Sequence, residues 1–213
     1  PPYTHHGDAF RAKIGVNLAS NQDNVYLCPD IEVAVKLIEN ILTGFAGTKG
    51  NLYKNHLQSL SNYNPFVTSR IAVRYSASQK YYGGIKGQIL GIDYRAQASY
   101  ESVNNLALFT SNQDSIPRFD VVYDTAGIVS LAAEISAPVF ENFELIGAIT
   151  QRFYTLRNND KAWHLPTLTL NVGASYQMLE QKLHLRGDLF VENGVPVPTT
   201  DGSKNLNALL DLS

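Results

Sequence analysis

The chain contains little charge and almost none of the residues that build disulfide or metal frameworks. Of its 213 residues, 17% are charged, whereas an ordinary soluble domain has roughly 25%. Its one cysteine, Cys28, has no partner for an internal disulfide, and Cys and His occur in no zinc-site spacing. The net charge of −2 gives no electrostatic basis for binding nucleic acid. Nucleic-acid-binding, disulfide-stapled and zinc-dependent proteins are therefore not expected.

Long hydrophobic runs are also missing. No apolar run approaches the ~18 residues that a transmembrane helix needs. Membrane-crossing strands are not excluded, because a barrel strand crosses with about ten residues, of which only every second one is apolar. The opening residues, PPYTHHGD, lack the basic start and the apolar stretch of a signal peptide. We therefore expect any export signal to lie upstream, and His5 and His6 to lie in a flexible terminus.

Sequence motifs for catalysis are missing as well. The chain has no nucleophile elbow, P-loop, dinucleotide fingerprint or zinc motif. Residues 46–50 (AGTKG) lack the spacing of a phosphate loop and predict a turn, and Gly83-Gly84 predicts a bulge or a close neighbour contact. His164, beside Trp163, is expected to anchor a loop rather than to bind a ligand. We predict no enzyme activity and no cofactor.

What the sequence does have is alternation of apolar and polar residues with a period of two, which predicts strands that are apolar on one face. Leu168, Leu170 and Val172, for example, alternate with Thr169 and Asn171. Helical periodicity is not convincing anywhere, so the prediction is an all-β fold of about ten antiparallel strands. The clearest strands are 10–19, 31–37, 94–101, 168–176 and 182–191; weaker ones are 81–89, 129–137, 143–153, 41–49 and 207–213.

The connections between these segments predict a sheet with two different ends. Long and short connections alternate along the chain, which is typical of an up-and-down meander whose ends face different environments. Outer-membrane barrels have short turns at one end and longer loops at the other, whereas a soluble sandwich has no reason to keep its long loops on one side. Long connections are expected at 20–29, 50–78, 102–125, 155–166 and 193–206, and short ones at Glu39-Asn40, Gly91–Asp93, Pro138–Asn142 and Leu179–Gln181.

The two phases of the alternation carry different residue types. Charges of both signs on the polar phase would line a barrel interior and pair across strands, although a solvated sheet face explains them equally well. Aromatic residues of the apolar phase lie at strand ends, as in the girdles at the two membrane interfaces; ordinary strand aromatics are the alternative. The predicted lumen-facing residues are Arg11, Lys13, Glu32, Lys36, Lys86, Arg95, Glu134, Glu144, Arg152, Arg186 and Asp188, and the predicted membrane-interface aromatics are Phe10, Tyr81, Tyr94, Phe143, Phe153 and Tyr176.

Several stretches, taken in order, resemble a known family. They are 25–67, 80–90, 122–137, 162–168 and 183–195, and they include P-x-I-E-x-x-x-K-L at 29–37, NPFV at 64–67, YGGIKG at 82–87 and W-x-L-P at 163–166. Together they resemble TonB-dependent-receptor-like barrel proteins of Bacteroidota. The resemblance covers most of the chain and implies a large outer-membrane barrel. In full receptors an N-terminal plug fills the lumen and a TonB box couples it to the inner membrane.

The resulting expectation is a single β-barrel segment over residues 1–213, without the plug and the closing strands, in the cell outer membrane. It would act in nutrient uptake or as an accessory barrel, with membrane lipid and the TonB system or other outer-membrane proteins as partners. Two alternatives stay open. One is a soluble β-sandwich or lipocalin-like binding module whose core is the apolar face. The other is a carbohydrate-active or carbohydrate-binding β-protein, suggested only by Tyr81-Tyr82 and Trp163-His164.

Overall fold

The structure, a computed structural model, describes residues 3–7, 9–20, 25–39, 41–111, 118–178, 183–199 and 202–213. Its described part is dominated by one eleven-stranded sheet, accompanied by a short helix and a two-stranded hairpin. The elements are β1 (Tyr3–His6), β2 (Phe10–Ser20), β3 (Val25–Ile38), β4 (Leu42–Asn55), α1 (Leu57–Tyr63), β5 (Arg74–Ile89), β6 (Ile92–Ser111), β7 (Phe119–Phe140), β8 (Phe143–Leu156), β9 (Leu168–Met178), β10 (Leu183–Asn193), β11 (Pro196–Thr199), β12 (Gly202–Asn205) and β13 (Leu209–Leu212).

The strand order confirms the predicted all-β, antiparallel meander. The large sheet runs β1-β2-β3-β4-β5-β6-β7-β8-β9-β10-β13, so neighbours in sequence are neighbours in space, and β11 and β12 form their own hairpin before β13. Each pair is antiparallel. No pairing between β1 and β13 occurs among the described residues, so the sheet is open. Within that part of the chain, no helix is long and apolar enough to cross a membrane.

The register keeps polar residues on one face and apolar residues on the other. On β2 and β3, Lys13 lies opposite Glu32, and the next pair, Ile14 and Ile31, points the other way. Because directly opposed residues share a face, this phase can be followed strand by strand. We call the face that contains Lys13 and Glu32 the polar face, and the face that contains Ile14 and Ile31 the apolar face.

Strands are longer than the alternation predicts, and several predicted loops are wrong. The segment 102–125 is mostly strand, because β6 continues to Ser111 and β7 begins at Phe119. A bulge between Val103 and Leu106 shifts the register, and Asn105 has a positive φ of 59°. The extra residue reverses which positions face the polar side. The alternation of apolar and polar residues is therefore interrupted at this point, although the strand continues.

Other predicted loops also lie partly or wholly in regular secondary structure. The predicted loop 20–29 overlaps β3, the loop 50–78 contains the end of β4, α1 and the start of β5, and residues 46–50 lie within β4 rather than in a turn. The strand β7 continues to Phe140, past the predicted start of the turn at Pro138, and 193–206 contains β11 and β12. His5 and His6 lie in β1 and not in a flexible terminus.

The short turns are confirmed only in part. Leu90 and Gly91, both with positive φ, form the turn between β5 and β6, and Asn142, with φ of 64°, forms the turn between β7 and β8. Asn40 and the predicted turn Leu179–Gln181 lie outside the described residues. The described connecting segments 56–73, 157–167, 194–199 and 202–208 lie at the opposite end of the sheet. We call that end the loop end.

Candidate functional site: two faces and a loop cap

The apolar face is exposed along the whole sheet. Its aliphatic side chains include Val33 at 44% exposure, Leu131 at 51% and Leu185 at 51%. Buried apolar side chains lie elsewhere: Cys28, Ala34 and Phe45 are on the polar face, and the others cluster at the loop end. A sandwich or lipocalin core would bury these aliphatic side chains against one another. That alternative is therefore wrong for this fold.

All eleven charged residues predicted to face the lumen share the polar face. The register links them from β2 to β10, as in the pairs Lys13–Glu32 and Arg95–Glu134, and in the opposition of Arg152 to Ser130. Only some of them form ion pairs. Lys13 Nζ lies 2.6 Å from Asp30, and Arg186 Nε lies 2.7 Å from Asp188.

The six predicted interface aromatics share the apolar face, at two levels. Tyr81 and Phe153 belong to one transverse row that also holds Tyr100 and Val129. At the opposite, short-turn end, Phe143 lies opposite Tyr176, with ring centroids 6.3 Å apart. Phe10 and Tyr94 also lie near short turns, on β2 and β6. Tyr100 was not predicted as an interface residue, although its row and its exposure match those of Tyr81.

The loop end carries the small apolar core. Val103, Ala126 and Ile128 are buried there, and Leu106, Tyr154 and Leu156 pack against them. These positions belong to the polar face, which therefore becomes apolar where the connecting segments cover it. We define the loop cap as α1 with the segments 157–167 and 194–199. Its buried residues are Leu60, Ala162, Pro166, Val195 and Pro196.

Aromatic and backbone contacts fasten the loop cap to β6. The Tyr63 ring of α1 stacks on Phe109, with centroids 5.2 Å apart. The His164 ring hydrogen-bonds through Nδ1 to the carbonyl oxygen of Phe109, and its backbone N–H donates to Pro196 O over 3.0 Å. Phe119 meets the His164 ring edge-on at 4.8 Å. His164 is thus a loop anchor, as predicted, and burial lowers its pKa although the bond to Phe109 opposes the shift.

A buried carboxylate fastens the same cap to β7. Asp124 is 3% exposed and accepts hydrogen bonds from the backbone N–H groups of Asn158 and Asn159 at 3.0 and 2.9 Å and from their side-chain amides at 2.9 and 2.8 Å. The backbone N–H of Thr125 adds another at 2.7 Å. Burial by itself raises the pKa of Asp124, but the hydrogen bonds from Asn159, Asn158 and Thr125 outweigh it, and the pKa is lowered. The sequence does not predict this contact, because the composition of Asn158-Asn159 indicates only a turn.

A cavity of about 690 Å³ lies between the cap and the polar face. Leu60 and Phe109 form apolar parts of its wall, and Glu101 and Tyr53 supply polar groups. Ser78, 7% exposed, also lines it, and its hydroxyl has no hydrogen-bond partner among the described residues. The cavity therefore offers an apolar wall with an unpaired hydroxyl and a carboxylate. The polar alternation of Ser76, Ser78 and Lys80 was the available sequence signal for this wall.

Metal chemistry has no candidate among the described residues, where no group of three His, Cys, Asp or Glu side chains could hold an ion. The carbohydrate alternative also receives no aromatic platform from Tyr81-Tyr82, because Tyr81 and Tyr82 lie on opposite faces of β5.

Gly84, as predicted for Gly83-Gly84, marks a close contact: a Cβ there would lie 2.9 Å from Phe45 Cζ.

We found no protein-family profile and no curated protein sequence that matches the chain. Solved structures do match. The copper transporter OprC is 11% identical with a TM-score of 0.61, over 96% of this chain and 36% of its own. The pyoverdine outer membrane receptor FpvA from Pseudomonas aeruginosa PAO1 is 15% identical with a TM-score of 0.60, over 97% and 33%. The siderophore receptor PiuA from Acinetobacter baumannii is 9% identical with a TM-score of 0.58, over 96% and 34%.

The chain thus spans about a third of the length of these proteins. At such low identities the likeness shows the fold alone. The fold is that of part of an outer-membrane receptor barrel, and the matched structures are receptors of the TonB-dependent class that the sequence resembles.

Proposed function

We propose that this chain is part of an outer-membrane β-barrel of the TonB-dependent-receptor type, with no enzyme activity. Its role is uptake of a nutrient across the outer membrane, or support as an accessory barrel in an outer-membrane complex. The observation that carries the proposal is the exposed apolar face, bounded by aromatic side chains at two levels. Exposed apolar area of this extent is unfavourable in water and favourable against hydrocarbon.

The height of the apolar band supports a membrane-spanning sheet. Phe143 and Phe153 mark its two edges on the same face of β8. At about 3.4 Å per residue and a tilt of about 35–45°, the strand between them covers about 24–28 Å of depth, close to the ≈25 Å apolar band of outer-membrane barrels. The six aromatic residues would then lie at the head groups, and the membrane lipid would be the partner of the apolar face.

On this proposal the polar face lines the lumen, and the eleven charged residues from Arg11 to Asp188 face its interior.

The directions of the edge strands determine how the barrel can close. β1 and β13 run in the same direction, because an odd number of antiparallel strands separates the two edges of the sheet. An all-antiparallel barrel therefore needs an odd number of further strands between them. We propose that residues 1–213 form one segment of such a barrel, and that further strands and a plug come from other parts of the protein.

The cavity beneath the loop cap is the place where we propose that the substrate first binds. Ser78 Oγ and the Glu101 carboxylate would bind its polar groups, and Leu60 and Phe109 its apolar part. We further propose coupling to the TonB system or to other outer-membrane proteins, and a Bacteroidota origin, on the resemblance of the ordered motifs between 25 and 195.

The test is to express the full-length protein in a Gram-negative host and to separate the membranes. The expected protein sediments with the outer membrane, resists extraction with alkaline carbonate, and migrates faster on SDS gels before boiling than after it. A protein found in the soluble periplasmic fraction, or released by carbonate, would contradict the proposal.

A further inference from the structure

Three cations and one hydroxyl form a single row across the polar face near the short-turn end. Lys36 on β3 lies opposite Thr43 on β4, Thr43 lies opposite Lys86 on β5, and Lys86 lies opposite Arg95 on β6. Like charges directly opposite each other destabilise an antiparallel pair. The pairing of Lys86 with Arg95 is therefore unfavourable unless another group compensates the charge.

Arg95 lies opposite a carboxylate that could compensate its charge but forms no ion pair with it. Glu134 lies opposite Arg95 on its other side, on β7, yet the two form no ion pair. The guanidinium instead turns towards β5 and β4, where its Cζ lies 4.6 Å from the centroid of the Phe45 ring, and its Nη2 donates to Gln97 Oε1 over 2.8 Å. Arg95 thus contacts Phe45 and Gln97 rather than the carboxylate of Glu134.

The ring of Phe45 contacts both central cations of the row. Lys86 Nζ lies 5.6 Å from the same ring centroid, and the face of an aromatic ring attracts cations. The ring is 5% exposed and extends over Gly84, its direct neighbour on β5. Because glycine has no side chain, the ring can occupy that position and contact both cations.

Two nearby carboxylates interact with residues outside the row. Asp30 pairs with Lys13, and Glu32 accepts a hydrogen bond from the phenol hydroxyl of Tyr82. No carboxylate among the described residues forms an ion pair with Lys36, Lys86 or Arg95. These residues and Thr43 line one cavity of about 570 Å³, with Glu134 and Asp93 also in its wall.

We propose that this row is an oxyanion-binding site, with Lys86 and Arg95 as its centre, Lys36 and Thr43 as further donors, and Phe45 as the ring that both central cations contact. A guanidinium, two ammonium groups and a hydroxyl are the donors that bind a carboxylate or a phosphate. The inference rests on the proposed function, because it takes the polar face to be a barrel interior. It adds the substrate class: the interior binds an anion.

A second like-charged pair continues the site towards the loop end. Lys49 and Lys80 lie opposite each other on β4 and β5 and line a cavity of about 250 Å³ together with Arg95. Arg95 therefore belongs to both cavities. Two further lysines therefore lie along the same wall, with Asp30 opposite Lys49 and Glu101 opposite Lys80.

The test uses the full-length protein, purified from the outer membrane in detergent, and inorganic phosphate as the probe. Isothermal titration compares the wild type with the double variant Lys86→Gln/Arg95→Gln. The control is Arg186→Gln, which removes a cation from the same face but from a pair with Asp188 on β10. Phosphate should bind at least about tenfold more weakly to the double variant and with nearly unchanged affinity to the control. Phe45→Leu, which keeps every charge, should also weaken binding.

Thermal melting in anion-free buffer separates two sources of the oxyanion. If the anion is a free molecule, the double variant should melt at the same or a higher temperature than the wild type, because a repulsion has been removed. If the oxyanion is a carboxylate from another part of the protein, the wild type should bind no phosphate and the double variant should melt below Arg186→Gln. No phosphate binding together with an unchanged melting temperature would overturn the site. Because the protein is taken from the outer membrane, that failure is distinct from failure of the proposed function.

Discussion

The phenol hydroxyl of Tyr82 donates a hydrogen bond to Oε2 of Glu32 over 2.9 Å, although the two residues lie on strands that are not neighbours. The strand between them, β4, has Gly47 at that position, opposite both residues in register. A Cβ at Gly47 would lie 2.6 Å from Tyr82 Oη and 2.5 Å from the carbonyl oxygen of Ile31. The glycine therefore supplies the space through which β5 is tied to β3.

Gly47→Ala should lower the free energy of unfolding by about 1–3 kcal/mol, because the added methyl group displaces the Tyr82 ring or the β3 backbone. Gly187→Ala is the matched control, since nothing lies within 4 Å of a Cβ there. Urea unfolding of the full-length protein in lipid vesicles measures both. Equal unfolding midpoints for the two variants would show that the Tyr82 side chain does not need the space that Gly47 leaves.

Asp124→Asn should loosen the loop cap. The carboxylate accepts hydrogen bonds from Thr125, Asn158 and Asn159, and an amide cannot accept them all, so the loss should be about 2–3 kcal/mol. Trypsin cleavage after the exposed Arg157 and Lys161 should become faster.

Asp160→Asn is the control for this cleavage, because it removes an exposed carboxylate from the same segment without touching Asp124. Its cleavage rate should match that of the wild type. If Asp124→Asn is cut no faster than Asp160→Asn, then Asp124 does not hold the segment in place.

The loop cap should also weaken as the pH falls. Burial lowers the pKa of His164 below its usual 6.5, so the unfolded segment binds a proton more readily than the folded one. The stabilisation is complete above pH 6.5 and is lost as the pH falls towards the folded pKa. Hydrogen exchange of 157–167, corrected for its intrinsic pH dependence, should show less protection at pH 5 than at pH 7.

His164→Gln should flatten that dependence, because the titrating group is gone. Below pH 4 a second loss is expected in both proteins, since the pKa of Asp124 is also lowered and its protonation removes a charged acceptor. Greater protection at pH 5 than at pH 7 in the wild type would contradict the role of His164.

The sequence predicted the two faces well, because a period of two is a local property. Val172 and Asn171, for instance, fall on opposite faces as expected. The prediction failed where a strand continues without a regular alternation of apolar and polar residues. The bulge at Asn105 reverses the phase of β6, and at Leu108 and Phe109 adjacent residues are both buried, so no alternation marks the strand.

The contacts that define the candidate sites depend on register, which the sequence does not specify. Lys86 and Arg95 were each assigned to the polar face, but their direct opposition follows from the tight turn at Leu90-Gly91. Asp124 meets Asn158 and Asn159 only because β7 and β8 pair as far as Leu156. The composition of Asn158-Asn159 indicates a turn and gives no sign of its buried partner.

An arginine placed on the apolar face should be far more costly than one on the polar face. Val172→Arg or Leu185→Arg should cost about 2–4 kcal/mol if the face meets hydrocarbon near mid-depth. Asn171→Arg is the matched control, next to Val172 but on the other face. Thr169→Arg should also be milder, although Thr169 accepts a bond from Arg152. Urea unfolding in vesicles measures these differences, and similar losses on both faces would count against a lipid-facing stripe.

The most direct measurement places a fluorophore at three successive positions of β9. In the full-length protein with Cys28→Ala, single cysteines replace Leu170, Asn171 and Val172, are labelled with bimane, and are reconstituted with lipids that carry a nitroxide in the acyl chain. Our account predicts strong quenching at positions 170 and 172 and weak quenching at 171. Equal quenching at all three positions, or strongest quenching at 171, would contradict the claim that the apolar face lies against the membrane.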